Sequence, residues 1–416
     1  MGNHFSYVKE RIIVVKMSRL PRGCSNVCGD LACKMNICRT SFISSFSRFG
    51  YLPFWPSGLQ LLETAWEKLP STLRNRLLTL NTPFGEPCCL RTDITLAAVA
   101  YLSSHFSPEE RPLRLSYADR IYSNPQNPDP NLENFQIGAE LLGWEEEGAD
   151  IEMIFLLLRY LENIGIKNAG IVIGDVAILR KILPSIKSAL CDKLAKALVK
   201  GSFSEYFQII EKLGVEDSKI TFLRTLPELK GGHEILNRAK ELLGNDNLLG
   251  PITRMYDSLK NLGFEDQINI DLALTRELDY YSGPIFDIYL PEYGKPVGGG
   301  GRYDGLLANY DIIGQAMGFA LDLEVIASFS RTKTMPEKAL VWSGGLSADS
   351  VFPETLSITQ TGIDIELSWV RSRNSSMRLA KNRNVSFWID LANRKVLRFS
   401  DNSDISLDRW LGELKC

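Results

Sequence analysis

The residues best suited to chemistry fall in two runs that lie close together in the chain. Arg276-Glu277-Leu278-Asp279-Tyr280-Tyr281-Ser282-Gly283 joins a guanidinium, two carboxylates and two phenols, and Gly298-Gly299-Gly300-Gly301-Arg302-Tyr303-Asp304-Gly305 follows about one hairpin later. A guanidinium binds carboxylates, carboxylates bind ammonium groups, and phenols offer a hydroxyl beside an aromatic face. The two runs therefore compose a polar pocket for a small ligand. The plain alternative is an edge hairpin with a flexible tip. Glycines weaken a strand unless a ligand or another backbone must approach closely, and four in a row favour the pocket.

Other chemistries find little support. The glycine run lacks the Gly-Lys-Ser/Thr ending of a phosphate-cradling loop and the spacing of a dinucleotide fingerprint. His4, His105 and His233 are the three histidines, and none stands in a metal-binding or triad context. No nucleophile elbow accompanies a serine. Cys24, Cys28, Cys33 and Cys38 are separated by four, five and five residues, which gives no CxxC knuckle and scatters them over the faces of a helix. No catalytic residue, metal site or cofactor is expected.

The elements that must position the two runs read as an α+β fold. Cys28 to Trp66 is mostly helical, broken near Gly50, Pro53 and Pro56. Asp93 caps a helix running to His105. Leu113 to Tyr122 reads as a strand, the Pro/Asn-rich segment 124–131 as a turn, and Phe135 to Leu142 as the returning strand. Ala149 to Ile164 is a dense apolar helix, and Gly170 to Ile173 a buried strand. A helical insertion spans about 176–262, with loops at Gly231-Gly232 and Gly250-Pro251. Strands return at Ile268 to Leu274 and Pro284 to Leu290, and a hairpin through Glu292-Tyr293-Gly294 leads into Val297. Short connections imply antiparallel pairing. Gly314 to Ala327 reads as a strand passing into a helix. After residue 330 comes a small α/β domain, with strands at Lys338 to Trp342 and Ile363 to Leu367 flanking a helix or loop at Ser347 to Gln360.

A family resemblance becomes specific here. Arg276 to Gly283 resembles the histidine-specific signature of histidyl-tRNA synthetases, and Gly299 to Leu306 the glycine-arginine-tyrosine strand that follows it. Arg91-Thr92-Asp93-Ile94-Thr95 is similar to the Arg-Pro-Glu-x-Thr loop of that family. Phe135-Gln136-Ile137-Gly138-Ala139-Glu140 and Ala149-Asp150-Ile151-Glu152 resemble the two segments after motif 2, and Gly318-Phe319-Ala320 opens motif 3. Leu20-Pro21-Arg22-Gly23 looks like the family's N-terminal start. The resemblance covers roughly residues 17–327. It implies a class II aminoacyl-tRNA synthetase-like antiparallel sheet flanked by helices. It also implies a histidine pocket in which Asp93 and Thr95 hold the α-amino group and Gln136 and Glu140 complete a polar wall. Tyr281 and Tyr303, with Tyr280 beside them, would meet the imidazole, and Arg276 the carboxylate side.

The departures from that family concern ATP. Motif 2 of a working synthetase carries an arginine that clamps the α-phosphate, and alignment from Arg114-Leu115-Ser116-Tyr117 puts Ser123 there, with Pro125 where an acidic residue is expected. Motif 3 should supply an arginine that stacks on adenine, and Val325 stands in its place. One positioned charged donor is commonly worth roughly 3–4 kcal/mol in a transition state, so the loss of two leaves adenylate formation negligible. A kept amino-acid pocket beside a lost ATP site resembles the regulatory subunits of ATP phosphoribosyltransferase. That resemblance implies a short catalytic phosphoribosyltransferase as partner, histidine as effector, and self-association through the synthetase-like dimer interface.

Composition sets the remaining bounds. The 416 residues carry 47 Lys and Arg against 50 Asp and Glu, a formal charge of −3, which argues against tRNA as a partner. Eight cysteines and no secretory signal point to the cytoplasm. Ile12-Ile13-Val14-Val15 is too short for a membrane span. Residues 1–16 read as a non-native or disordered extension ahead of Met17, residues 17–330 as the synthetase-like core, and 331–416 as a small degenerate C-terminal α/β domain.

Overall fold

The computed structural model describes residues 20–124, 131–144, 146–183, 188–244, 247–276, 281–332 and 337–415. The expectations for residues 1–16, for most of the Pro/Asn-rich turn including Pro125, and for Tyr280 lie outside the described residues. The chain divides into two compact units, one ending at Ser330 and one beginning at Arg331. Among the described residues, no helix is long and apolar enough to cross a membrane.

The elements that build the larger unit's site are, in chain order, helix α1 (Asp30–Ser47), helix α2 (Ile94–His105), strands β1 (Leu113–Tyr122) and β2 (Glu133–Leu142), helix α3 (Gly148–Asn163), strands β3 (Gly170–Asp175), β4 (Pro284–Tyr289), β5 (Pro296–Arg302) and β6 (Ala316–Asp322), and helix α4 (Leu323–Phe329). In space the strands run β1, β2, β6, β5, β4, β3, each antiparallel to the next. The Leu52–Pro53 strand extends this sheet in parallel beside β1, and Ile268–Asp271 does so beside β3.

Two-residue periodicity splits the sheet into two faces. Ile137, Ala139 and Leu141 of β2 join a large core with Phe42 and Phe46 of α1 and Met153 and Leu157 of α3. The alternate face belongs to a second core, in which Leu96, Val99 and Leu102 of α2 pack with Leu113, Leu115, Leu142 and Tyr303. The dense apolar patterns of α1 and α3 are thus answered by one face, and the site opens on the other. Asp93 caps α2 as its sequence requires, accepting from the Leu96 amide at 2.8 Å.

The insertion folds as helices Ala177–Ile182, Ser188–Val199, Phe203–Ile210, Asp217–Thr225, Glu234–Leu243 and Gly250–Asn261. Two details differ from expectation. Lys230-Gly231 adds a short edge strand antiparallel to Ile268–Asp271, and Gly250-Pro251 opens a helix instead of a loop, because proline's missing N–H is harmless in a first turn. A three-stranded sheet of Leu59–Leu61, Pro87–Leu90 and Leu78–Asn81 has no counterpart in the sequence reading. In the smaller unit, Asp364–Ser368, Lys338–Trp342 and Phe387–Asp390 pair in parallel, and Lys395–Arg398 and Ser403–Ser406 continue antiparallel. Helix Ala348–Thr359 fills the segment left open as helix or loop.

Candidate functional site

Sheet register builds the floor of the site. Tyr117 of β1 stands opposite Gly138 of β2, Gly138 opposite Ala320 of β6, Ala320 opposite Gly299 of β5, and Gly299 opposite Asp287 of β4. Residues directly opposed in neighbouring strands share a face. Three residues with little or no side chain therefore lie between a tyrosine at one end and an aspartate at the other. The result is a cavity of about 390 Å³ lined by Asp93, Thr95, Tyr117, Gln136, Arg276, Tyr281, Asp287 and Tyr303 together with Gly298, Gly299 and Gly318. That volume lies within the range of small-molecule sites.

Of the eight residues singled out from the sequence, six line this one cavity: Asp93, Thr95, Gln136, Arg276, Tyr281 and Tyr303. Tyr280 lies outside the described residues. Glu140 sits elsewhere than expected: it is fully buried behind the wall rather than on it. Thr95 donates to Glu140 Oε1 at 2.6 Å, Tyr117 to the same oxygen at 3.3 Å, and Tyr303 to Oε2. Burial pushes this carboxyl up to about 8 against the pull of the three hydroxyls, because withdrawal from water penalises the charged form. Glu140 thus holds the lining residues Thr95, Tyr117 and Tyr303 in place. Gly318 makes room for it, since a Cβ there would stand 1.6 Å from Glu140 Oε2.

Arg276 lines the cavity and has protein partners of its own. Its Nη2 is bonded to Asp287 Oδ1 and donates to the Phe286 carbonyl at 2.7 Å, and its guanidinium carbon lies 5.6 Å from the centre of the Tyr281 ring. Burial raises Asp287 and the neighbouring guanidinium draws it back. The glycine run explains the geometry: a Cβ at Gly299 would lie 2.3 Å from Arg276 Nη2 and 2.3 Å from the Phe286 carbonyl oxygen. What approaches the glycines closely is this guanidinium and the neighbouring strands. The sequence reading missed Asp287 and Tyr117. A lone carboxylate in the apolar run of β4 is the available signal for the first, because a buried carboxylate needs a partner.

The two positions at which the resemblance expects ATP-binding arginines carry Ser123 and Val325. Ser123 follows the end of β1, its amide bonded to the Leu132 carbonyl at 2.9 Å. Val325 sits in the first turn of α4, its amide held by Asp322 at 3.1 Å and its side chain packed against the main core. Neither side chain can donate to a phosphate through a guanidinium or stack a cation on adenine. Among the described residues, no group of three or more His, Cys, Asp or Glu is placed to hold a metal ion, and the four N-terminal cysteines are free thiols.

The histidyl-tRNA synthetase family model matches residues 23–326. The ATP phosphoribosyltransferase regulatory subunit of Moorella thermoacetica is 29% identical over 76% of this chain and 83% of its own length. That of Thermoanaerobacter pseudethanolicus is 30% identical over 68% and 75%. Among solved structures, an ATP phosphoribosyltransferase regulatory subunit/histidyl-tRNA synthetase from Bacillus halodurans gives a TM-score of 0.76 at 22% identity, covering 88% of this chain and 96% of that one. A histidyl-tRNA synthetase from Nostoc gives a TM-score of 0.76 at 15% identity, covering 96% and 99%. The two structures establish the class II synthetase-like fold, and the sequence relatives establish the branch: the chain belongs to the ATP phosphoribosyltransferase regulatory subunits, a family built on the histidyl-tRNA synthetase fold.

Proposed function

We propose that this chain is a non-catalytic regulatory subunit that binds histidine in the β1–β6 cavity and assembles in the cytoplasm with a short catalytic ATP phosphoribosyltransferase. It would be required for that partner's activity and for its feedback inhibition at the first step of histidine biosynthesis. The observation that carries the reading is a kept pocket beside an emptied grip. Asp93, Thr95, Gln136, Tyr281 and Tyr303 line one cavity, whereas Ser123 and Val325 occupy the two positions where arginines would hold ATP. Asp93 and Thr95 supply acceptors for an ammonium, Tyr281 and Tyr303 supply hydroxyls and ring faces for an imidazole, and Gln136 completes the polar wall. Glu140 backs that wall, with Tyr280 and Arg276 completing the expected set.

Histidine then acts by favouring one assembly state over another, a coupling typically of roughly 1–3 kcal/mol. Self-association through the synthetase-like interface fits the large apolar residues left exposed between positions 49 and 84, among them Phe49, Trp55, Trp66 and Phe84, with Trp55 71% and Phe84 89% exposed. Large exposed apolar residues are candidates for such a surface. The near-neutral charge and the small C-terminal unit favour no tRNA partner.

Two measurements test the reading. Affinity capture from native extract should recover a short ATP phosphoribosyltransferase, and the purified chain should bind histidine by calorimetry while showing background ATP–pyrophosphate exchange. Robust histidine-dependent exchange would identify an active synthetase instead.

A further inference from the structure

Tyr281 and Tyr303 line the cavity described above, and their neighbours in the chain, Ser282 and Arg302, line a second one of about 600 Å³. It lies where β2 and β5 end and β4 and β6 begin, against the insertion helix Gly250–Asn261. That volume also falls within the range of small-molecule sites. Four carboxylates line it, Glu147, Asp150, Asp257 and Asp304, against the two guanidiniums of Arg254 and Arg302. Both guanidiniums are already taken, Arg254 by Glu147 and Arg302 by Asp150. Asp304 accepts from the Ala316 amide at 3.0 Å, and Asp257 stands 3.9 Å from the His233 ring nitrogen. Among the described residues, neither forms an ion pair with a lysine or arginine, so the lining carries an excess of negative charge.

Asp150 adds an unmet acceptor to that excess. Its side chain is 5% exposed, yet its Oδ1 has no hydrogen-bond partner among the described residues, and buried acceptors are seldom left so. Burial raises this carboxyl to about 6 against the pull of Arg302, and Asp304 and Glu147 add to the rise. A ligand that brings positive charge relieves both the repulsion and the missing bond. A bare metal ion suits the cavity poorly. Among the described residues, no group of three or more His, Cys, Asp or Glu is placed to hold one, and Ile151, Pro251 and Met255 give the lining an apolar side.

We propose that this second cavity binds an organic cation, an ammonium or guanidinium on a short aliphatic chain, through the carboxylates of Asp150, Asp257 and Asp304. The methylenes of such a ligand pack on Ile151, Pro251 and Met255, as the stems of charged side chains do on apolar surface. The site is separate from the histidine cavity and stands whether or not that cavity takes histidine.

The test is calorimetric titration of the full chain with agmatine, putrescine, neutral butanediol and magnesium chloride, at about 150 mM salt so that long-range attraction is screened. Agmatine and putrescine should saturate a site and bind at least about tenfold more tightly than butanediol or magnesium, because charge-assisted hydrogen bonds are roughly twice as strong as neutral ones. Asp257 is half-exposed on its helix, so Asp257→Asn should fold, and it should weaken agmatine binding by about fivefold or more. Glu205→Gln, at an exposed position elsewhere in the insertion, should leave that binding unchanged. With methyl-labelled methionines, agmatine should shift the resonance of Met255, which lines the cavity, and leave that of Met377 in the smaller unit in place. The inference fails if neither cation binds saturably, or if butanediol or magnesium binds as tightly. It fails equally if Asp257→Asn costs no more than Glu205→Gln, or if agmatine binds without moving Met255. None of these outcomes touches the histidine reading, which rests on the other cavity.

Discussion

Tyr303 donates its hydroxyl to Glu140, a residue 163 positions earlier in the chain, and so ties the glycine-rich β5 to β2 across the intervening β6. The carboxyl at the centre of this contact is fully buried and carries an acidity shifted to about 8 from its ordinary 4.5. The cavity wall is therefore assembled around a group that prefers to be protonated.

That preference has a sign in stability. An acid whose proton is held more tightly in the folded state gives the folded state a proton the unfolded chain lacks. The Glu140 contribution is fully present below about pH 4.5 and is lost as pH rises toward about 8. Asp93 adds repulsion to the charged form, while Thr95, Tyr303 and Tyr117 oppose the shift. The span corresponds to roughly 3–5 kcal/mol at about 1.4 kcal/mol per unit. Urea midpoints measured at pH 6 and pH 8.5 should fall for the wild-type chain, and Glu140→Gln should flatten most of that slope. An unchanged slope in the variant would place the titrating group elsewhere, with Asp150, raised to about 6 by burial, the next to test.

The depth of Glu140 was not legible in the sequence, and the reason is physical. The resemblance placed Gln136 and Glu140 in one polar wall, and both flank Gly138 on one face of β2. Which of the two reaches the cavity depends on what leans over each. Tyr117 and Tyr303 come from β1 and from the turn after β5, distant positions that no local pattern connects. The same holds for Arg276, whose partner Asp287 lies 11 positions later, within β4. By contrast, the strands β1 and β2, the capped helix α2 and the apolar helix α3 were readable because each rests on local periodicity or a single capping residue. The Leu78–Asn81 and Pro87–Leu90 hairpin escaped because each strand runs for only 4 residues, the lower limit at which alternation marks a strand.

Gly318 has no room for a side chain. A methyl group there would meet Glu140 Oε2 at 1.6 Å and its Cδ at 2.6 Å. Gly318→Ala should destabilise the chain by at least about 1–3 kcal/mol, the usual range for an overpacked core, and should abolish histidine binding by forcing Glu140 out of the grasp of Tyr303. In a double-mutant cycle, Glu140→Ala should make Gly318→Ala markedly less costly. Equal costs in both backgrounds would show that the clash is relieved by backbone movement instead.

The proposed self-association gives a separate handle. Trp55 is 71% exposed, with the Arg39 guanidinium 5.8 Å from its ring centre, and beside it Arg39, Ile43, Pro53 and Phe54 line an apolar depression of about 250 Å³. Trp55→Lys removes a large apolar contact and sets a second cation near Arg39. It should weaken a dimer by about tenfold or more, as expected for an aromatic anchor, while leaving the denaturation midpoint of the isolated chain nearly unchanged. Sedimentation velocity across a concentration series reads the first quantity, and a dimer indifferent to the substitution would locate the interface away from residues 49–84.

The Asp150–Arg302 pair supports the site from the opposite face of β5. Arg302 Nε meets Asp150 Oδ2 at 2.7 Å, with side-chain exposures of 9% and 5%, and the same guanidinium also bonds Gln315 and the Glu146 carbonyl. Tyr303 is the next residue along the chain, so a shift in Arg302 is transmitted directly to the hydroxyl that holds Glu140. Asp150 Oδ1 is buried with no partner, and burial outweighs Arg302 in raising this carboxyl to about 6. Removing the cation therefore leaves an already strained acid with nothing to stabilise its charge. Arg302→Met should cost about 3–5 kcal/mol, the usual penalty for a buried charge that loses its partner. Because the uncompensated acid can take up a proton, the loss should be smaller at pH 5 than at pH 8. Arg302→Met combined with Asp150→Leu should recover much of it. A double variant no more stable than Arg302→Met would mean that the cost lies in the lost bonds to Gln315 and Glu146, and that the pair itself contributes little.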